Sequence, residues 1–557
     1  MNLKKLLAGP KFFGVVLPLL VFALALFLRT YDLASYPPGL YPDEAANTTD
    51  AFTALSGKPS LYYPNNNGRE GLFMNLIAVS FALFSANIYS LRIVPALIGF
   101  FTVIAVYFLG KELYGKRAGL IASFLVTVSF WHLNFSRIAF RAIMVPLVLA
   151  WGVYLLFRAR RSLLNNRSKT NRAGLLFLLA GAVFGLGFHT YIAFRIAPAV
   201  FILWFLLALL LRPQVKGEAK KIFIAGLIFL GGFLLTLSPM VFYFAKHPEH
   251  LGARQNDNSI SVMDPRNNQG HLVLSVAKTF GQTMGQFFIK GDQNWRHNLP
   301  SNPELSPFVS VMFIFGLFRL AFLFLRGLFH QFKKPKEKEE IFKAGVLLGW
   351  FFVMLAPAFL TVEGLPHALR SIGSLVPAYL LAASAIALIW ESPCCILKDP
   401  KKSELMCHFR KIILGSALAL TLLYDTSSYF LVWGKSTQAA HAFERRLVNI
   451  GNYLNQRTET DPVYLIVNQD SKKIDTGWPV SLETIRFLAH YRLSEITFVA
   501  PNQLPDFRSK KSSYSIILQK RDDSIEGELL EKLPLEKEIK NITPLLAGTE
   551  FEVLKKK

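Results

Sequence analysis

The chain has 557 residues, 52% of them hydrophobic and 18% charged, with 49 Phe and a formal net charge of +24. This composition excludes disorder, and the gathering of apolar residues into runs of about 17 to 25, each long enough to cross a bilayer, excludes an ordinary soluble enzyme. The Lys and Arg excess sits in short tracts between those runs, as the positive-inside bias requires, so it argues for a membrane and against nucleic acid.

Taken from the start, Lys4, Lys5 and Lys11 precede an apolar run from Phe12 to Leu28. The run continues past Ala23-Leu24-Ala25, where a signal peptide would be cut, so an uncleaved anchor with a cytoplasmic basic end is expected. Residues 29 to about 70 then lie outside. Leu72 to Ser85 is short for a crossing, whereas Leu91 to Leu109 is long enough and ends at Lys111, Lys116 and Arg117. Keeping that tract in the cytoplasm lays residues 71–88 along the outer interface as a helix. Further spans are expected near 118–134, 138–157, 174–189, 196–211, 222–244, 308–326, 342–361, 371–390 and 412–433. Their cytoplasmic ends carry Arg158 to Arg172, Arg212 to Lys221, Lys333 to Lys338, and Lys398 to Lys411, which leaves residues 245–306 as a long external loop. Cys394, Cys395 and Cys407 fall in one basic inter-span segment without zinc-finger spacing, indicating neither a disulfide framework nor a structural metal site.

Past the last span the pattern changes. Residues 435–557 are polar, with β-branched runs at 463–467 and 514–518 and helical segments near 436–456, 481–491 and 524–533. The predicted fold class is a polytopic α-helical membrane protein with about 11 transmembrane helices over residues 1–433 and a small C-terminal α/β domain over 435–557. Interfacial helices are expected in the first external loop, 29–90, with the C-terminal domain outside the plasma membrane. No Gly-rich phosphate loop and no internal repeat is visible.

Candidate chemistry collects on the outer side. Asp43 and Glu44 follow the Pro37-Pro38-Gly39 turn. On a structural reading they are acids in the first turn of a helix, favoured there by its dipole. Arg69 and Glu70 precede the interfacial helix, while Arg137, Arg141, Tyr191 and Arg195 stand at span ends, where arginines also simply snorkel. Asp292, Asn294, Arg296 and His297 crowd one stretch of the long loop, whose bland reading is a capped turn. His367 and Arg370 open the span after 366, about one turn apart if helical. Carboxylates with several cations near lipid headgroups suit a reaction on a lipid phosphate, with an acid as base and Arg neutralising the leaving group.

The Asp43-Glu44 pair, the entry Gly68-Arg69-Glu70-Gly71-Leu72-Phe73, then Leu91-Arg92-Ile93-Val94-Pro95-Ala96-Leu97 and Lys111-Glu112-Leu113-Tyr114-Gly115 resemble the GT-C membrane glycosyltransferases. The branch resembled is that of bacterial relatives of protein O-mannosyltransferases and lipid A aminoarabinose transferases. The resemblance covers residues 30–160 best and is looser to about 380. It implies a polyprenyl-phosphate sugar donor, an outer-face acceptor that is a lipid, glycan or protein, and inversion at the anomeric carbon. It also implies Asp43 as the base, Glu44 as its companion, and Arg137 or Arg141 near the lipid phosphate. The chain departs from the family at Gly68-Arg69-Glu70-Gly71-Leu72, where many relatives have His-Pro-Pro-Leu. Glu70 is then a possible second acid. With Arg370 and His367 as further candidates to bind the donor phosphate, the remaining substrate-binding candidates are Arg69, Tyr191, Arg195, Asp292, Asn294, Arg296 and His297. No cofactor is certain from the sequence. A divalent metal is compatible with paired acids, but no full ligand set is visible. Competing readings are a transporter or flippase of lipid-linked glycans, which needs ionisable groups deep in several spans, and a scaffold that displays the C-terminal domain.

Overall fold

The computed structural model describes residues 12–164, 170–211, 217–252, 261–329, 334–393, 400–469, 473, 477–504, 513–540 and 548–556. Lys4, Lys5, Lys11, Arg167, Lys169, Arg212, Lys216, Lys333, Cys394, Cys395 and Lys398 lie outside the described residues. The chain divides into two compact units. One comprises Met1–Tyr31 with Pro95–Tyr429, the other Asp32–Val94 with Phe430–Lys557.

The first unit is helical. Among the described residues, nine helices are long and apolar enough to cross a membrane: Ile88–Tyr114, Arg141–Leu164, Asn171–His189, Ile192–Leu210, Glu218–Lys246, Pro307–Phe329, Pro335–Phe359, Ile372–Glu391 and Lys401–Trp433. The chain is a multi-pass membrane protein. Two expected spans take other forms. The first is the shorter helix Gly14–Thr30. The one expected near 118–134 breaks into Lys116–Val128 and Phe130–Phe135. The break falls at Ser129, whose backbone leaves the helical region and whose hydroxyl accepts the His132 N–H at 3.1 Å as an N-cap.

Solvent exposure separates the spans. Ile372–Glu391 is buried from Leu375 to Ala387, whereas Pro307–Phe329 leaves Phe315, Phe318 and Phe322 exposed, a stripe that only lipid tolerates. Backbones approach closely at glycines. A Cβ on Gly181 or Gly232 would strike main chain of the facing helix, so these glycines let Thr170–Leu186 and Glu218–Lys246 approach closely beside the Phe184–Phe229 ring contact.

The inter-span segments sort by end, as the charge pattern predicts. Arg160 pairs with Glu339, Arg161 with Glu112 at 3.2 Å, and Arg117 with Glu391 at 2.9 Å, so the basic tracts meet one another. The segments expected outside meet elsewhere in the unit: the Asn134 amide donates to the Arg296 carbonyl at 2.8 Å and the Trp131 indole to the Ala368 carbonyl at 3.2 Å. The cysteines depart from expectation, since Cys407 is disulfide-bonded. Counting cysteines tests for a framework of several bridges and does not detect a single bridge.

The second unit joins the first inter-span loop to the C-terminal region. The loop supplies the helices Pro42–Leu55 and Leu72–Phe84 and a short antiparallel pair, β1 (Tyr62–Tyr63) and β2 (Arg69–Glu70). The C-terminal part is a five-stranded sheet of β3 (Val463–Ile466), β4 (Ile496–Val499), β5 (Tyr514–Leu518), β6 (Glu536–Lys540) and β7 (Phe551–Lys556), in the order β4-β3-β5-β7-β6. β4, β3 and β5 are parallel, and β7 runs antiparallel to β5 and β6. Alternate residues serve two cores: Val463, Leu465 and Ile517 pack with Leu447, Ile450 and Ile485, while Tyr464, Ile466 and Ile516 pack with Leu529 and Leu533. The expected helix over 436–456 is two helices, Thr437–Ala442 and Arg445–Gln456, separated where Glu444 takes φ 51°.

The Asp43 loop is tied to this C-terminal part. Thr49 donates to Glu483 at 2.5 Å, the Thr484 hydroxyl donates to the Leu40 carbonyl at 3.0 Å, and Phe81 stacks on Phe487 at 5.8 Å.

Candidate functional site

The three acids of the first loop have different environments. Pro42 opens the Pro42–Leu55 helix, so Asp43 and Glu44 occupy its first turn, where the helix dipole favours them. Glu44 turns inward. Its carboxylate accepts from the Tyr41 N–H at 3.3 Å and pairs with Arg92 at 3.2 and 3.3 Å, and both side chains are fully buried. Arg92 also donates to the carbonyls of Gly39 at 2.5 Å and Pro37 at 3.0 Å, fixing the turn before the helix. The Gly39 turn needs glycine, because φ is +141° and a Cβ would meet the Phe443 carbonyl.

Asp43 is half-buried, and its Oδ1 accepts one hydrogen bond, from the Asn66 amide at 2.9 Å. Asn66 sits in the tight turn between β1 and β2, where Asn66, Asn67 and Gly68 all take positive φ. Arg69 locks that hairpin to the helix through Asp50 at 2.5 Å, Asn47 at 2.7 Å and the Ala46 carbonyl at 3.2 Å. This buried clamp corrects the expectation of Arg69 as a substrate ligand, because its guanidinium is committed to protein oxygens. Glu70, on β2, is only 4% exposed. Of the three acids, Asp43 alone keeps substantial exposure.

The cations of the first unit also separate. Arg137 is fully buried and donates to the carbonyls of Leu28 at 2.8 Å and Tyr31 at 2.6 Å, closing the end of the first helix. That work removes it from the phosphate-binding candidates. Arg141 lies over the Tyr191 ring at 5.4 Å. Arg195, in the short helix Ile192–Ile196, is half-exposed and makes no ion pair or side-chain hydrogen bond among the described residues. Arg370 pairs with Glu363 at 2.9 Å and donates to the Thr361 hydroxyl at 2.9 Å.

The expected helical spacing of His367 and Arg370 does not occur. Residues 368–370 form a turn ahead of Ile372–Ser374, so His367 points to Asp292 while Arg370 turns to Glu363. The 292–297 stretch is a capped turn: Asp292 accepts the Asn294 N–H at 2.8 Å, and Asn294 Oδ1 accepts from the Arg296 N–H at 3.0 Å and Nε at 3.1 Å. Asp292 Oδ2 also accepts from His297 Nδ1 at 2.8 Å and the Ala368 N–H at 2.9 Å. Burial alone would raise the Asp292 pKa, but the hydrogen bond and charge of His297, with His367 beside it, hold it below the ordinary value. Burial, helped by His297 and Arg370, pushes His367 down to about 3, so its imidazole is neutral. Ligand atoms of Asp292, His297 and His367 all lie within 4.8 Å of one another.

Sequence reasoning did not find Arg92, Asn66 or Asp50 as partners. Arg92 offered a signal, being a charge at the head of an apolar run and therefore in need of a counterion.

Residues 72–243 match the family model described as dolichyl-phosphate-mannose-protein mannosyltransferase. Archaeal oligosaccharyltransferase AglB from Archaeoglobus fulgidus, solved in complex with an inhibitory peptide and a dolichol-phosphate, aligns with a TM-score of 0.52 and 15% identity over 86% of this chain. The chain shares the fold of that archaeal enzyme, and part of it is similar to the mannosyltransferase family. It spans 64% of that archaeal chain, and 65% of the apo form of the Archaeoglobus fulgidus oligosaccharyltransferase, which matches at a TM-score of 0.52 and 16% identity over 88% of this chain. ArnT from Cupriavidus metallidurans aligns at a TM-score of 0.48 and 13% identity, covering 97% of this chain and 98% of its own. No curated protein matches it by sequence. The family match begins at Leu72, after the Asp43-Glu44 pair, and takes in Arg92, Arg137, Arg141, Tyr191 and Arg195.

Proposed function

We propose that the chain is a membrane glycosyltransferase that moves a sugar from a polyprenyl-phosphate donor to an acceptor hydroxyl at the outer face of the plasma membrane, with inversion. The observation that carries this reading is the match of residues 72–243 to a family named for a dolichyl-phosphate sugar donor. The dolichol-phosphate in the similar archaeal structure supports the same donor class. The acceptor is a lipid, glycan or protein.

In this mechanism Asp43 takes the proton of the acceptor hydroxyl as its oxygen attacks the anomeric carbon, and the bond to the lipid phosphate breaks on the opposite side. A half-exposed carboxylate held by one amide suits a base, because an acceptor can reach it and, among the described residues, no arginine is bound to it. Glu44 positions Asp43 by fixing the helix start against Arg92. In the first unit, Arg195 is the cation for a departing phosphate, and Arg141 lies over the ring of Tyr191, four residues before it.

The test is purified protein incubated with a panel of polyprenyl-phosphate sugars and a mixed acceptor pool, measuring free polyprenyl phosphate. Release from one donor, dependent on acceptor, is expected. Release from none of them would refute the reading.

A further inference from the structure

We propose that Asp292, His297 and His367 form a binding site for a divalent transition-metal cation of the zinc class. Two imidazoles and one carboxylate are the donor set of an open zinc site, in which three protein ligands leave a fourth position for another oxygen.

The spacing fits. Ligands about 2.0 Å from a tetrahedral ion stand about 3.3 Å apart, and here Asp292 Oδ2 lies 2.8 Å from His297 Nδ1 and 3.7 Å from His367 Nδ1. Among the described residues His367 Nδ1 is buried without a hydrogen-bond partner, an orphaned lone pair facing the carboxylate that a cation would satisfy. The ligands are also held from behind. Asp292 accepts from the Asn294 and Ala368 main chain, the Trp131 indole binds the Ala368 carbonyl, and the His297 and His367 rings lie 5.0 Å apart. Side-chain exposure is 4% for Asp292 and 6% for His297 but 15% for His367, so the cation enters past His367.

The other His and acid group of this kind among the described residues is His247, Glu249 and His250, where Glu249 is 61% exposed and His247 46%. Tyr243 holds His250 Nδ1 at 3.1 Å, but the group is far more open to solvent, and it serves as the control.

The test uses the full chain in detergent, stripped with a chelator and titrated with Co²⁺, a zinc surrogate whose visible absorption reports tetrahedral coordination. Wild type should take up one Co²⁺ per chain with that spectrum and release it to Zn²⁺. His367→Ala removes no side-chain hydrogen bond among the described residues, so its melting midpoint should stay near wild type, and it should weaken Co²⁺ binding at least about 100-fold, beyond the loss expected for an outer partner. His297→Ala should do the same, and His247→Ala with His250→Ala should leave binding unchanged. No stoichiometric uptake by wild type, or wild-type binding by His367→Ala, overturns the proposal. The readout is a spectrum, so failure here is distinct from failure to transfer a sugar.

Discussion

Replacing Arg92 by Met separates positioning from chemistry. The Arg92 and Glu44 side chains are both fully buried, and Arg92 donates to both Glu44 oxygens and to the Gly39 and Pro37 carbonyls. Met keeps most of the volume but leaves a buried carboxylate and two carbonyls without their donor. Removing one partner of a buried ion pair costs about 3 to 5 kcal/mol, a large share of the 5 to 15 kcal/mol that holds a typical domain together. At about 2 to 4 °C per kcal/mol, the apparent unfolding midpoint should fall by roughly 6 to 20 °C. The assay is a fluorescence melt in detergent at one fixed scan rate, because unfolding of such a protein is irreversible. Sugar transfer at low temperature should fall as well, through loss of the helix start. A midpoint within about 2 °C of wild type would refute the assignment of Glu44 and Arg92 as the clamp under Asp43.

Gly39→Ala should give a protein whose first loop is cut faster in limited proteolysis, since its φ of +141° and the Phe443 carbonyl both exclude a Cβ. Unchanged cleavage would remove that turn from the account. Arg195→Ala should lower donor turnover about 10²-fold with an unchanged melting midpoint, and full activity would move the phosphate cation to Arg141. For topology, Lys336→Cys should be labelled by an impermeant thiol reagent only from the cytoplasm and Gln269→Cys only from outside, both residues being exposed. The opposite pattern would invert the sidedness assumed for Asp292 and His367.

The spans were legible because length and apolarity suffice to specify a membrane helix, and the charge tracts gave their order. The central strands β3 and β5 were legible as β-branched runs. β6 was not, because Glu536-Lys537-Glu538-Ile539-Lys540 is a charged edge strand whose composition reads as a loop. At the site, Asp43 stood out through its place after a Pro-rich turn, but nothing local distinguished it from Glu44. That difference depends on Arg92, 48 residues further along. Arg137 misled for a related reason. An arginine at a span end is equally suited to lipid phosphate and to helix carbonyls, and only the positions of Leu28 and Tyr31 decide between them. The Asp292, His297 and His367 group joins residues 75 positions apart through a non-helical turn, which periodicity does not reveal.

The central claim is that Asp43 is the base, and single-turnover sugar transfer by Asp43→Asn tests it most directly. Asn keeps the shape, the bond to Asn66 and the place in the first helical turn, so folding should change little. The account predicts a rate about 10² to 10⁴ below wild type with donor binding retained. Transfer at the wild-type rate, with chemistry limiting, would contradict it.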